Sequence, residues 1–368
     1  MFRLLRTNVL SGRPGRRPVL IAALVLVAGM ALSAAAGQWT HLALASGAQS
    51  RFDTTASHAA TQIERRFASY AQVLVGLRAL FASGEVSRDA FHRFTEALAL
   101  KDQFPGFQVL NFAPYVPAAA KQTFEKALQQ DPSWPAPHRF AIHPPGARDD
   151  YHPFTLIEPQ AGNTHLLGKD IAAAPHVRTA LAVARDTGKL TTSGKLIQVQ
   201  GPRKHVGLAL RLPVYRPGAA TDSLSQRRAA YIGSVGAGFE VAEMLSSLPG
   251  VPPAWRVRLF EGGPEPIVAQ AGGDPANSSD RLVFDSAASG AGGSPLAAQG
   301  SFRRVQSFTL GDRVWDVEVS APAAEVLQAH EQWLPQAVLA AGIVVALLLS
   351  GMVLLLGMLV QTRSHPSA

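Results

Sequence analysis

Residues 337–360 are apolar from end to end and include no charged side chain. At ~1.5 Å of rise per residue they form ~36 Å of helix, enough to cross a bilayer with some tilt. A second apolar run, residues 20–36, lies near the other end; it is shorter and richer in alanine but reaches the lower end of the spanning range. These two runs constrain the fold more than anything between them. They predict a membrane helix at each end and a folded region, residues 38–334, held between them. A soluble enzyme has no use for this layout, whereas an anchored or sensory domain does.

The flanking charges orient the chain. Arg3, Arg6, Arg13, Arg16 and Arg17 precede the first run with no acidic residue among them, and the next Lys or Arg after it is Arg51. Basic residues stay on the cytoplasmic side, so the N-terminus is expected there. Arg363 after the second run and Glu331 before it agree, and Trp39 and Trp333 fall where indole rings favour the headgroup layer. Residues 38–334 are therefore expected outside. Ala34-Ala35-Ala36 also resembles a secretory cleavage site. The length of the run favours retention as a helix, and either way the middle is exported and the second helix anchors it.

The net charge of +8 and the pI near 10.1 invite a nucleic-acid reading. Five of the charges are the N-terminal arginines, which topology already explains. Elsewhere Lys and Arg are interspersed with Asp and Glu, and no basic stripe with interleaved aromatics occurs. The absence of cysteine excludes disulfides and thiolate metal sites, so an ordinary hydrophobic core must hold the exported region.

Within that region, Phe52, Ala56, Ala59, Ile63, Phe67, Tyr70, Leu74, Leu77 and Phe81 recur at three- and four-residue steps and predict a stalk helix over residues 50–82. It could continue the first membrane helix as one rod, although Gly37 and Gly47 could break it. Ser87 offers an N-cap for a second helix to Leu98. From Phe104 on, prolines and glycines punctuate short apolar runs. Strands are expected at 107–112, 205–215, 255–260, 266–270, 281–284, 302–309 and 314–319. Helices are expected at 118–130, 175–186 and 241–248, with Pro175 at a first turn and Gly188 past an end. Gly-rich segments at 271–278 and 286–300 read as loop tips. The apolar stripe of the stalk exceeds what one narrow module covers, which predicts a homodimer packed through the Ile63/Phe67/Tyr70 face.

No catalytic signature stands out. Gly188 to Lys195 misses the phosphate-loop spacing, and Leu196 occupies the metal-ligand position of that motif. His138, His143 and His152 with Asp149 and Asp150 match no ligand spacing and read as loop residues. Gly233-Ser234-Val235-Gly236 is not a nucleophile elbow. No enzyme activity, metal or cofactor is expected. Asp170, after Gly168 and before a helix, has capping as its default role; a ligand contact is the alternative.

Several segments in order resemble the CHASE family, the extracytoplasmic sensory domain of bacterial kinases and cyclases and of plant cytokinin receptors. They are Phe104-Pro105-Gly106-Phe107 to Asn111-Phe112-Ala113-Pro114-Tyr115, then Tyr151-His152-Pro153 with Pro159 and Asn163, then Leu167-Gly168-Lys169-Asp170. Arg178-Thr179-Ala180-Leu181, Ala184 to Gly188, Leu212-Pro213-Val214-Tyr215 and the glycine-rich stretch Gly233 to Phe239 follow. The resemblance covers about residues 100–245.

It implies an α+β fold in which two transmembrane helices flank a long stalk helix and two stacked PAS-like α/β modules. The map that follows has a cytoplasmic N-terminus at 1–19, transmembrane helix 1 at 20–36 and stalk helices at 38–100. A membrane-distal PAS-like ligand module occupies 101–245 and a membrane-proximal one 246–330. Transmembrane helix 2 at 337–360 and a cytoplasmic tail at 361–368 complete it. In the cytokinin receptors an aspartate hydrogen-bonds an adenine ring, and Asp170 matches its position. The implied ligand-binding residues are Asp170, Leu190, Thr191, Val199, Tyr151, Leu212, Gly233 and Gly236; Val199 stands where the plant receptors have a threonine. The implied function is a membrane-anchored sensor that binds a small, adenine-like molecule. The signal passes to a cytoplasmic kinase or cyclase, expected in a separate partner or a longer form of the chain. The location is a bacterial inner membrane with the sensory domain in the periplasm. A ligand-free anchored scaffold is the alternative.

Overall fold

A computed structural model describes residues 16–134, 139–192, 197–199, 205–246, 248–262, 281–287 and 301–363. Contacts divide the chain into two compact units, 1–53 with 323–368, and 54–322. Helix α1 (Arg16–Ala82) contributes to both. It runs without a break through Gly37 and Gly47, so the predicted stalk helix is the C-terminal part of an element that starts at Arg16.

In the first unit, α1 packs against α9 (Ala329–Arg363), which follows a short turn of helix, α8 (Ala323–Val326). Among the described residues two helices are long and apolar enough to cross a membrane, Arg16–Ala82 and Ala329–Val360, and side chains such as Leu24, Leu32, Leu348 and Leu359 are exposed. Their seam is built from small residues. A Cβ on Gly29 would lie 2.5 Å from that of Ala346, and one on Gly37 would lie 3.3 Å from that of Leu339. The Ser350 hydroxyl donates to the Ala22 carbonyl at 2.9 Å. Small residues let helix backbones approach closely where lipid offers no hydrophobic drive. Arg51 closes the seam, donating to both oxygens of Glu331 at 2.7 and 2.8 Å.

In the second unit, α1 from Thr54 onward carries the predicted stripe, and its large apolar side chains are buried. Ser87 caps α2 (Arg88–Ala97), accepting from Ala90 N at 3.1 Å. Helix α3 (Leu100–Gln103) leads into β1 (Phe107–Pro114), and the short strand β2 (Val116–Pro117) precedes α4 (Lys121–Gln129). Strands β3 (Asp150–Tyr151) and β4 (Leu156–Glu158), α5 (Pro175–Thr187), β5 (Thr191–Thr192) and β6 (Ile197–Val199) follow. Next come β7 (His205–Tyr215), α6 (Leu224–Ala230), β8 (Tyr231–Glu240) and α7 (Val241–Met244). Pro175 opens α5, and Gly188 ends it in the left-handed region at φ 75°. The first sheet has the antiparallel order β4-β1-β8-β7-β5, with β6 also on β7.

The second sheet is β10-β9-β12-β11, built from β9 (Arg256–Glu261), β10 (Leu282–Asp285), β11 (Ser301–Leu310) and β12 (Arg313–Pro322). Both sheets lay an apolar face on α1. Phe67 meets Phe239 of the first at 6.0 Å between ring centroids, and Phe308 and Trp315 of the second at 5.7 and 5.3 Å. Further along, Phe81 stacks on Phe112 at 4.3 Å.

Two expectations need correction. Ile63, Phe67 and Tyr70 are buried by the chain's own two sheets, so that face is not free to join a second copy. The 241–248 helix is only the single turn Val241–Met244. The strand expected at 266–270 and the loop tips at 271–278 and 288–300 lie outside the described residues.

Candidate functional site

Alternation along the first sheet sorts its residues into two faces. Leu110, Ala237 and Leu210 sit side by side on β1, β8 and β7, as do Phe112, Val235 and Leu212, and these rows face α1. The intervening row on the opposite face is Asn111, Gly236 and Arg211. Arg211 reaches across the glycine and donates to Asn111 Oδ1 at 2.7 Å. A Cβ on Gly236 would overlap the guanidinium. Arg211 is buried, its guanidinium also lies 5.1 Å from the Phe154 ring, and among the described residues no carboxylate pairs with it. Burial pulls its pKa down to about 10, so it remains a cation at neutral pH.

The loop between β2 and α5 covers this face. His143 N donates to Gly168 O at 3.0 Å, Asp170 N to His143 O at 2.7 Å, and Phe154 N to Lys169 O at 3.1 Å. Gly168, at φ 82°, is required because a Cβ would overlap the Ala141 carbonyl. Asp170 is the keystone of this mesh. Its Oδ1 accepts from His152 N at 2.8 Å and from Ala172 N at 3.0 Å. Its Oδ2 lies 3.4 Å from Arg148 Nη1 and is buried without a hydrogen bond.

The mesh delivers His152 to the sheet. Its ring lies 5.5 Å from Tyr115 and 5.9 Å from Tyr231, and those two rings are 5.6 Å apart. Both His152 ring nitrogens, the Tyr231 hydroxyl and the Ser234 hydroxyl are buried without a hydrogen-bond partner among the described residues. Burial first, then the charges of Arg211, Arg185 and Arg178, push the His152 pKa down to about 3, so the ring is neutral. Burial raises the Tyr231 phenol, which stays protonated. Burial also raises Asp150, whose carboxylate is 3.8 Å from His152 Nδ1. The arrangement is a set of neutral hydroxyl and imidazole groups around one buried cation. It contains neither an activated nucleophile nor, among the described residues, any group of side chains able to hold a metal.

Of the residues the resemblance pointed to, Asp170 is buried and holds His152 in place. Gly236 makes room for Arg211. Gly233 lies beside Ser234, where a Cβ would come 2.5 Å from the Ala113 carbonyl. Thr191 is buried opposite Arg211 on β5 and donates to Ala180 O at 3.3 Å. Leu190 is half-buried under Gly311 of the β11–β12 turn. Tyr151 belongs to a separate small core with Val116, Phe140 and Ile142; its hydroxyl donates to Gly146 O at 3.0 Å. Leu212 is on the α1-facing side, one residue from Arg211, so it lies outside this cluster. Val199 is in β6 opposite His205. Arg211, Asn111, Tyr231, Ser234 and His152 were not singled out as site residues. The available signal was Arg211 itself, a lone charge inside the apolar strand 205–215. A shallow groove of about 600 Å³ lies elsewhere, lined by Arg78, Thr187, Tyr215 and Arg227 among others; Arg227 is already bound to the carbonyls of Asp186, Thr221 and Asp222.

The sequence profile of the CHASE domain matches residues 84–267, half of the chain. The chain belongs to the CHASE domain family. The matched CHASE segment contains the whole first sheet and the loop over it. Over 189 residues the chain is 28% identical to hybrid signal transduction histidine kinase A of Dictyostelium discoideum; this is 48% of the chain and 8% of that relative's length. Among solved structures, an extracellular ligand binding receptor from Desulfohalobium retbaense is similar at 11% identity and a TM-score of 0.41, over 74% of this chain and 40% of that one. The periplasmic sensory domain of the Campylobacter jejuni chemoreceptor Tlp1 is similar at 14% identity and a TM-score of 0.40, over 75% and 96%. CHASE is a sensory domain, and the chain accordingly combines a sensor-family domain with two candidate membrane helices.

Proposed function

We propose that this chain is a membrane-anchored receptor, not an enzyme, whose CHASE domain binds a small molecule outside the cytoplasm. Binding is passed through the two membrane helices to a cytoplasmic output. The observation that carries the reading is the cluster of buried, unpartnered polar atoms on one face of the first sheet. Buried polar groups are nearly always satisfied, and several left open in one place mark where a ligand completes the set. The two sheets on α1 are read as the stacked PAS-like modules of the family, with the ligand in the first. The kinase character of the Dictyostelium relative favours a kinase as the output, in a partner or in a longer chain. A bacterial inner membrane, with the sheets in the periplasm, suits the arginine-rich N-terminus.

In this reading Asp170 presents Oδ2 to a donor on the ligand while Oδ1 holds the loop. Native mass spectrometry of the full chain in mild detergent tests the proposal: a small molecule should be released from the wild-type protein. Asp170→Asn keeps an acceptor for the two backbone donors but replaces Oδ2. It should leave folding near wild type and weaken binding by about 1–3 kcal/mol. Equal retention of ligand by Asp170→Asn would make Asp170 a purely structural residue. Repeated purification with nothing bound would favour a ligand-free scaffold.

A further inference from the structure

We propose that the ligand carries a small carboxylate, received by Arg211 on the face of the first sheet that points away from α1. This deepens the ligand-binding reading above and rests on it. A buried guanidinium without a counter-ion is costly, and proteins normally pair such a group or bring an anion to it. Among the described residues Arg211 has the Asn111 side-chain carbonyl and the Phe154 ring as neighbours, and no carboxylate. The nearby acids do not answer it: Asp170 uses Oδ1 on two backbone donors and has Oδ2 beside Arg148, and Asp150 lies beside His152.

Two hydroxyl donors complete the description. The Ser234 hydroxyl lies within reach of the Tyr231 hydroxyl and works against the upward push of burial on that phenol, and among the described residues neither forms a hydrogen bond of good geometry with any other group. Each can donate one proton to a carboxylate oxygen, and a guanidinium matches the planar carboxylate with paired donors. The size and charge of the anion also follow. Gly236 and Ser234 lie on this face of β8, and Phe154 lies over the guanidinium, so the anion must be small. One buried cation and a neutral His152 suit a single negative charge, and the Asp150 carboxylate disfavours a second.

The test uses the full chain in detergent. Acetate, propionate, pyruvate and L-alanine are titrated as sodium salts, with thermal midpoint and isothermal calorimetry as readouts and sodium chloride and phosphate as controls. At least one carboxylate should bind saturably and raise the midpoint, with phosphate matching chloride. Ser234→Ala and Tyr231→Phe each remove a hydroxyl whose neighbour in the free protein is the other one. Both should change the ligand-free midpoint little while weakening carboxylate binding by about tenfold each. Arg211→Gln should abolish it. A merely structural role for the hydroxyls would leave binding unchanged in both variants, which overturns the proposal. So does the absence of any carboxylate response in the wild type. Saturable binding of N6-benzyladenine with no carboxylate response would reject the carboxylate but leave the receptor reading standing.

Discussion

Arg211 reaches Asn111 across β8 because the residue between them has no side chain. Gly236→Ala places a methyl group in the guanidinium and should cost about 2–4 kcal/mol through crowding and a lost charge-assisted bond. The same change in an Arg211→Ala background should cost far less, and a double-mutant cycle on thermal midpoints measures the coupling. If the two costs simply add, the glycine serves the strand and not the arginine. His152 yields a prediction about pH. Its folded pKa, pushed down to about 3 by burial and then by three arginines, lies below the ordinary 6.5. The folded state thus takes up a proton less readily than the unfolded chain. Its contribution is fully present above pH 6.5 and is lost as pH falls toward 3, at about 1.4 kcal/mol per unit. His152→Asn should remove that part of the slope between about pH 6.5 and 5 in a comparison of midpoints. Parallel curves for the two proteins would show that the imidazole is not buried as described.

At the scale of elements, α1 is the spine of the second unit, and Phe67 is where both sheets meet it. Truncating Phe67→Ala removes contacts to Phe239, Phe308 and Trp315 at once and should cost about 3–5 kcal/mol. Limited proteolysis should then cut both sheets faster. Protection of either sheet at wild-type level would mean that it stands without the helix. This packing also explains why the stripe was misread as a dimer face. Periodicity shows that a helix face is buried, but it does not say whether the cover comes from the same chain or another. The 107–112, 205–215 and 314–319 strands were readable because their alternation is strong. The 241–248 helix was overextended because α7 ends after Met244.

At the scale of the whole molecule, the two candidate membrane helices leave apolar side chains exposed, whereas the unit 54–322 buries its own. Within the first unit the glycine and serine seam sets the helix register. The sequence has no cysteine, so a pair introduced as Gly37→Cys and Leu339→Cys reports without background. The Cβ separation of 3.3 Å is close to the ~3.5–4.5 Å of a disulfide. Oxidation in membranes should give a fast-migrating intramolecular species on a non-reducing gel; only intermolecular products would refute the seam.

The sequence by itself determined two helices apolar enough to cross a membrane, most of the α and β elements, and the family. Each of these rests on local or additive signals: hydropathy, periodicity, caps at Ser87 and Gly188, and an ordered set of short motifs. It also drew attention to Asp170 and Gly236, because a glycine or a lone carboxylate in a motif is visible without coordinates. Only the tertiary structure decided that Asp170 holds His152, that the stalk stripe is covered by the chain's own sheets, and that Arg211 rather than Leu212 faces the site. The last distinction turns on strand parity. One residue along a strand reverses the face, and only the pairing of β1, β8 and β7 brings Asn111, Gly236 and Arg211, far apart in the sequence, into one row.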